Sequence, residues 1–184
     1  TTEDFVRAME DASGVDLRRF RNWYSQAGTP EVKIVGNYDS AAKQYSLHVS
    51  QSCPDTPGQS KKKPFHIPLR VGLLNEDGKE LTLKLSGETS TSSAPSAVTD
   101  LVLDLVDQEQ VFVFEDIPVQ PVPSLLRGFS APVSLSCNYS RDDLLFLMVY
   151  DTDGFNRWNA SQSLLIDIFA ELQSAYNNND ELKL

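Results

Sequence analysis

Two hydrophobic periods divide this chain, helical at its ends and alternating through its middle. Behind Thr2-Glu3-Asp4, where a hydroxyl cap at Thr2 and first-turn acidic residues favour a helix start, Phe5, Met9 and Ala12 recur at helical spacing until Ser13-Gly14. A second helix is expected after Val15, capped near Asp16, with Leu17, Phe20 and Tyr24 on one face and Gly28 and Pro30 ending it. From Thr29 the period becomes two. Val32 and Ile34, then Tyr45, Leu47 and Val49, mark two strands. Residues 65–74 read as a third, with Pro68 confined to an edge or bulge because it lacks a ladder donor. Asn75-Glu76-Asp77-Gly78 is a strong turn signal, so the alternating Leu81, Leu83 and Leu85 are expected to return as a hairpin. Leu101, Leu103 and Leu105 are expected to pair with residues 111–114 in a second hairpin across Asp107-Gln108-Glu109, and Val133, Leu135 and Cys137 supply one more strand. The spacing fits a sandwich rather than βαβ units. Residues 86–96 read as a small, polar loop. Ser140 and Asp143 form a capping-box pattern ahead of residues 144–148, a run whose periodicity alone leaves helix or strand open. A longer helix follows from Asp153 or Asn156 through Trp158, Leu164, Leu165, Ile168, Phe169 and Leu172, ending near Asn177-Asn178-Asn179.

Composition narrows the function classes. The 184 residues are 40% hydrophobic and 23% charged, ordinary for a folded domain, and the net charge of −10 argues against a nucleic-acid partner. The one basic run, Lys61-Lys62-Lys63, sits between Pro57-Gly58 and Pro64 and reads as a solvated loop. No apolar run is long enough to span a bilayer, so no membrane partner is expected. Cys53 and Cys137 have neither zinc-ribbon nor redox spacing; they are expected as separate reduced thiols, although a disulfide between neighbouring strands stays open.

Candidate chemistry is sparse. His48 and His66 are the only histidines, and neither begins H-E-x-x-H, so no metal site is expected. A serine or cysteine nucleophile would need a base and an orienting group; there is no G-x-S-x-G elbow, and Ser124 reads as a turn or cap residue. Asp142-Asp143 and Asp151-Thr152-Asp153-Gly154 lack the spaced ligands of a calcium loop and are better explained as helix caps. None of the nine glycines builds a phosphate-cradling loop.

Three blocks are too particular to follow from folding rules: Arg21-Asn22-Trp23-Tyr24-Ser25-Gln26-Ala27-Gly28-Thr29-Pro30, residues 121–133 (PVPSLLRGFSAPV), and Asp153-Gly154-Phe155-Asn156-Arg157-Trp158. In order and spacing they resemble bacterial aminopeptidase N, a zinc exopeptidase family with a thermolysin-like catalytic domain, over nearly the whole chain. The resemblance implies a mainly β fold, an immunoglobulin-like sandwich of about seven strands flanked by short α-helices. It also favours helix at 141–150. It divides the chain into the tail of the catalytic domain (1–28), the accessory sandwich (29–140) and the opening of a C-terminal helical domain (141–184). An internal, bacterial cytoplasmic piece is implied, and the chain's start without methionine suits that.

What the resemblance implies for function is a non-catalytic spacer. Zinc and peptide hydrolysis belong to the parent enzyme, and this segment carries no catalytic, metal or cofactor residue. Its partners are the remaining domains of the parent. Trp23, Gly28 and Pro30 are expected to end the last catalytic-domain helix, with Gly28 in a left-handed cap. Pro121, Pro123 and Pro132 fix an irregular path around Leu125, Leu126 and Phe129, which are expected to plug an interdomain seam. Arg127 either pairs with a buried carboxylate or faces water. Phe155, Arg157 and Trp158 form the opposite side of the seam, although Asn159 and Ser161 depart from the acidic residue and glycine usual in the family. The other reading is a free-standing sandwich that binds a protein or a carbohydrate. Apolar helix faces on an isolated piece are expected to promote self-association.

Overall fold

In the computed structural model, which describes residues 1–87 and 98–178, two β-sheets pack face to face and helices lie at both ends of the chain. Strands β1 (Glu31–Asp39), β2 (Gln44–Ser52), β5 (Glu109–Phe114) and β7 (Ser134–Cys137) form one sheet in the order β5-β2-β1-β7; β3 (Ile67–Leu74), β4 (Asp100–Leu105) and β6 (Val122–Leu125) form the other in the order β4-β3-β6. All pairings are antiparallel except β1 with β7. The alternating positions supply the core: Val32, Ile34, Leu47, Val49, Phe112 and Phe114 face Ile67, Leu69, Val71, Leu73, Leu103 and Leu105, all buried. Neither cysteine is disulfide-bonded.

Beyond Gly72, β3 departs from alternation: both faces of its final residues are buried. Leu74 leaves the sandwich core and packs instead with Leu147 and Ala160 of two C-terminal helices, α3 (Arg141–Tyr150) and α4 (Gly154–Asn177), after α1 (Thr2–Ser13) and α2 (Asn22–Ser25) at the start of the chain. Residues 141–150 are therefore helix, opened by the Ser140–Asp143 capping box. At Pro68, β4 pairs on one side, while β6 covers only Val71 to Leu74 on the other. The proline thus occupies a local edge, where the Ser130 hydroxyl donates to its carbonyl and accepts from the Arg70 amide.

Several expectations need correction. The cap of α1 is Thr1, one residue earlier than Thr2, in a reciprocal box with Asp4. The second helix shrinks to Asn22–Ser25, because side chains satisfy the preceding amides: Glu10 accepts from Leu17 N, and Asp16 accepts from Arg18 N. The turn at residues 75–78 forms, with Gly78 N donating to Asn75 O and Asn75 Oδ1 accepting from Asp77 N and Lys79 N, but residues 81–85 do not return as a strand. They cross between sheets, from Leu81 N on Leu73 O to a bridge of Leu85 with Phe114, and bury Leu83 on the way. Nor do β4 and β5 form a hairpin: they belong to different sheets. The Gln110 side chain closes that crossing by accepting from Val106 N and Asp107 N and donating to Asp104 O. The seventh strand is β6, which the alternation had not marked. Most of the 86–96 loop lies outside the described residues; α4 ends at Asn177 with Asn178 as its C-cap, as the run Asn177-Asn178-Asn179 led one to expect.

Candidate functional site at the seam between sandwich and helices

The most concentrated polar constellation lies where β6 runs out. Leu126 (φ 57°), just before a single 3-10 turn, Arg127–Phe129, and Phe129 (φ 53°), its last residue, adopt the left-handed conformation, a costly geometry for bulky residues. The turn aims Arg127 inward, leaving its side chain only 4% exposed. Its Nε donates to Ser124 Oγ (2.9 Å), Nη1 to Asp100 Oδ2 (3.0 Å), and Nη2 to Glu80 Oε1 and Thr152 Oγ1 (2.7 Å each). Asp151, fully buried, lies 3.4 Å away and has one oxygen without a hydrogen-bond partner among the described residues. One guanidinium thus joins β4, the crossing segment at Glu80, β6 and the α3–α4 connection. Arg127 faces inward rather than towards water, pairing with the buried Asp151 and the part-buried Glu80 and Asp100.

Two further hydrogen bonds tie the helices to this turn and to β6, and a third caps α4. Gly128 N donates to Asp153 Oδ2 (2.9 Å) while Asp153 Oδ1 caps α4 through Asn156 N (2.9 Å), and Asn156 Nδ2 donates to the buried Ser124 hydroxyl (2.8 Å). The Asp151–Gly154 segment is therefore both a helix cap and a tie. Glu80 is held down to about 2, chiefly by the hydrogen bond from Thr152, with Thr99 and Arg127 adding to it against the opposing effect of burial.

Two glycines make room for these contacts. A Cβ on Gly72, in β3, would sit 2.7 Å from Arg127 Nη1; one on Gly78 (φ 77°) would sit 2.6 Å from the Tyr150 Cβ. Strand β3 thus passes under the guanidinium, and its turn abuts the end of α3. Sequence reading missed Glu80, Asp100, Thr152 and Asn156, whose polarity has no visible address, and gave Ser124 only a turn role. The available signal was Gly72, a glycine interior to an apolar strand, which marks close approach.

The remaining expected seam residues divide between two places. Phe129 is half-exposed and stacks on Phe155 (5.2 Å between centroids), which in turn neighbours Trp158 at 6.1 Å; Arg157 Nε donates to Met148 O. Pro121 and Pro123 are buried, the latter accepting from Tyr139 OH at 2.6 Å, whereas Pro132 is exposed. Leu125 and Leu126 belong to the sandwich core. At the far end of β3, Trp23 packs on Phe65 (4.7 Å) and donates from Nε1 to His66 O, and Pro30 O accepts from Ser134 N. Gly28 is not the helix cap: Gln26 ends α2 in an extended conformation, and Gly28 (φ 100°) packs beneath Cys53.

The seam offers little for chemistry. A cavity of about 260 Å³ between β7 and the two C-terminal helices is lined by Leu135, Leu144, Leu147, Tyr139 and Asn156. Burial pushes the Cys137 thiol up to about 11, which keeps it protonated and a poor nucleophile. His48 is exposed on β2, while His66 Nε2 faces Asp104 Oδ1 at 2.8 Å on the other sheet. Among the described residues no three His, Cys, Asp or Glu side chains cluster as metal ligands.

A family model described as "Domain of unknown function (DUF3458) Ig-like fold" matches residues 28–138. The chain belongs to that family. A second model, described as DUF3458_C with ARM repeats, matches residues 141–184, so α3 and α4 fall in a region with a family description of its own. Aminopeptidase N of Escherichia coli is 46% identical over 90% of this chain, and aminopeptidase N of Haemophilus influenzae is 43% identical over 89%. A crystal structure of Legionella pneumophila aminopeptidase A in complex with aspartic acid superimposes over the whole chain with a TM-score of 0.76 at 32% identity. This DUF3458 chain spans 18% of the length of each of these relatives and is homologous to an accessory region of them.

Proposed function

We propose that this chain is an internal, non-catalytic segment of a zinc-dependent bacterial aminopeptidase that removes N-terminal residues from peptides, its sandwich acting as a rigid spacer that docks a helical domain on the catalytic domain. The observation that carries this reading is identity of 43–46% to aminopeptidase N across about nine-tenths of a chain that is only 18% of those proteins' length. The geometry supports a spacer. Strand β3 is anchored at one end by Trp23, beside α1 and α2, and at the other by Arg127, beside α3 and α4. From Phe65 to Gly72 that strut measures about 23 Å at strand rise.

The residues present do not fit the zinc such a parent requires, since His48 on β2 and His66 just ahead of β3 belong to opposite sides of the sandwich and, among the described residues, lack converging partners. Zinc belongs to the parent's catalytic domain, as does peptide substrate, and a cytoplasmic location is proposed with them. The isolated chain is expected to hydrolyse no alanyl-p-nitroanilide above blank and to retain no stoichiometric zinc. Turnover abolished by a chelator would overturn the reading. So would a reading frame in which start and stop codons flank this segment directly, which would favour the free-standing binding module; an upstream H-E-x-x-H in the same frame is the expected result.

A further inference from the structure

Helix α4 is apolar on two opposite sides. One side, with Asn156, Ala160 and Leu164, is buried against the seam. On the other, Trp158, Leu165, Phe169 and Tyr176 are 58%, 46%, 64% and 73% exposed. At 3.6 residues per turn these four positions fall within about 20° of one line, and they extend along about 27 Å of helix. Ile166, 68% exposed, widens the stripe, and its polar neighbours Gln162 and Gln173 are uncharged. The three charged residues of this helix sit elsewhere: Asp167 and Glu171 pair with Arg141 of α3, and Arg157 donates to Met148 O.

A helix with a single core needs one apolar side, and one with two belongs between layers. The 7-4-7 spacing of the outer line matches the seam presented to another helix rather than to a sheet or an extended peptide. The region that includes α4 matches a model of ARM repeats, architectures in which each helical unit buries its face on the next and a lone unit cannot satisfy itself. We infer that the Trp158–Leu165–Phe169–Tyr176 stripe is the docking seam for a further helix of the same parent polypeptide, outside these 184 residues, so that α4 is the middle layer of a stack. The inference rests on the parent reading above and goes beyond it by naming the surface, its direction and its occupant.

The test compares position 169 in two contexts, the intact parent polypeptide and the 184-residue chain. In each, Phe169→Cys is labelled with a maleimide, and the rate is read from the mass of the peptide carrying position 169 and normalised to the urea-unfolded protein. Labelling at least ten-fold slower in the parent than in the isolated chain is expected. Phe169→Asp is expected to lower the parent's melting temperature while leaving that of the isolated chain unchanged. Equal labelling in both contexts overturns the inference while the parent reading stands. Protection that appears only in the isolated chain and grows with its concentration, with a dimer in sedimentation, overturns it in favour of a second copy. If no longer reading frame surrounds this segment, the parent reading fails and the inference fails with it.

Discussion

Arg127 decides what the seam tolerates. Removing its charge strands the fully buried Asp151 beside Glu80, while Asp100 keeps only its pair with Arg70. Breaking a buried ion pair from one side costs about 3–5 kcal/mol. Arg127→Ala is therefore expected to lower the urea midpoint by an amount equivalent to at least about 3 kcal/mol. Arg127→Lys should restore only a minor part, because a single ammonium cannot replace a planar fork that reaches Ser124, Asp100 and Thr152 at once. Glu80 gives the same hub a pH signature. Its folded value, about 2, lies below the ordinary 4.5, so its contribution is fully present above about 4.5 and is lost as pH falls towards 2. Glu80→Gln should flatten stability against pH across that window and nowhere else; an unchanged acid limb would show that other carboxylates set it. None of this was visible at the residue scale in the sequence. The arginine could be singled out, but its partners come from positions 80, 100, 124, 151 and 152, which only the tertiary path brings together.

Among the elements, strands were legible where one face meets the core, since period two reports burial. Pairing was not, since period two says nothing about which neighbour a strand takes. Leu81, Leu83 and Leu85 alternate like a hairpin strand, yet the segment crosses from one sheet to the other and buries Leu83 there. β4 and β5 alternate like a hairpin as well, and a three-residue link carries them onto opposite sheets. β6 was hidden because Pro123 and Ser124 within it, and Pro121 just before it, break the pattern, while its burial comes from both faces. Side chains hold these crossings. Gln51, buried on β2, accepts from Phe65 N (2.8 Å) and donates to Phe65 O (2.9 Å) and Asp107 O (3.0 Å), fastening one sheet to the entry of the other. Gln51→Leu would keep the volume and strand both Phe65 groups in the interior. A loss of about 3 kcal/mol is expected in chemical denaturation, whereas a change below about 0.5 kcal/mol would mean that the sheets are held by apolar packing alone.

At the scale of the whole molecule, the sandwich and the C-terminal helices share a core and a charge cluster, so they should unfold together. Leu74 is buried among helical residues, and the Ser124 hydroxyl is bonded by Asn156 of α4. Urea unfolding followed by far-UV circular dichroism, which weights the helices, should coincide with unfolding followed by the fluorescence of Trp23, at the opposite end of β3, in a Trp158→Phe background. In Arg127→Ala the two curves should separate, helices first; separate transitions already in the wild type would deny the shared unit. The broad architecture was legible in the sequence because helix, sandwich and helix differ in period, and the three distinctive blocks pointed to the family. What joins them was not, because a seam is made of contacts between distant segments.

The strut formed by β3 has a mechanical corollary. A beam clamped at both ends passes any tilt of one neighbour on to the other, so the two flanking domains of the proposed parent cannot swing independently through this connection. Under that proposal, relative motion of those domains would have to be taken up further along the helical stack, in layers beyond α4.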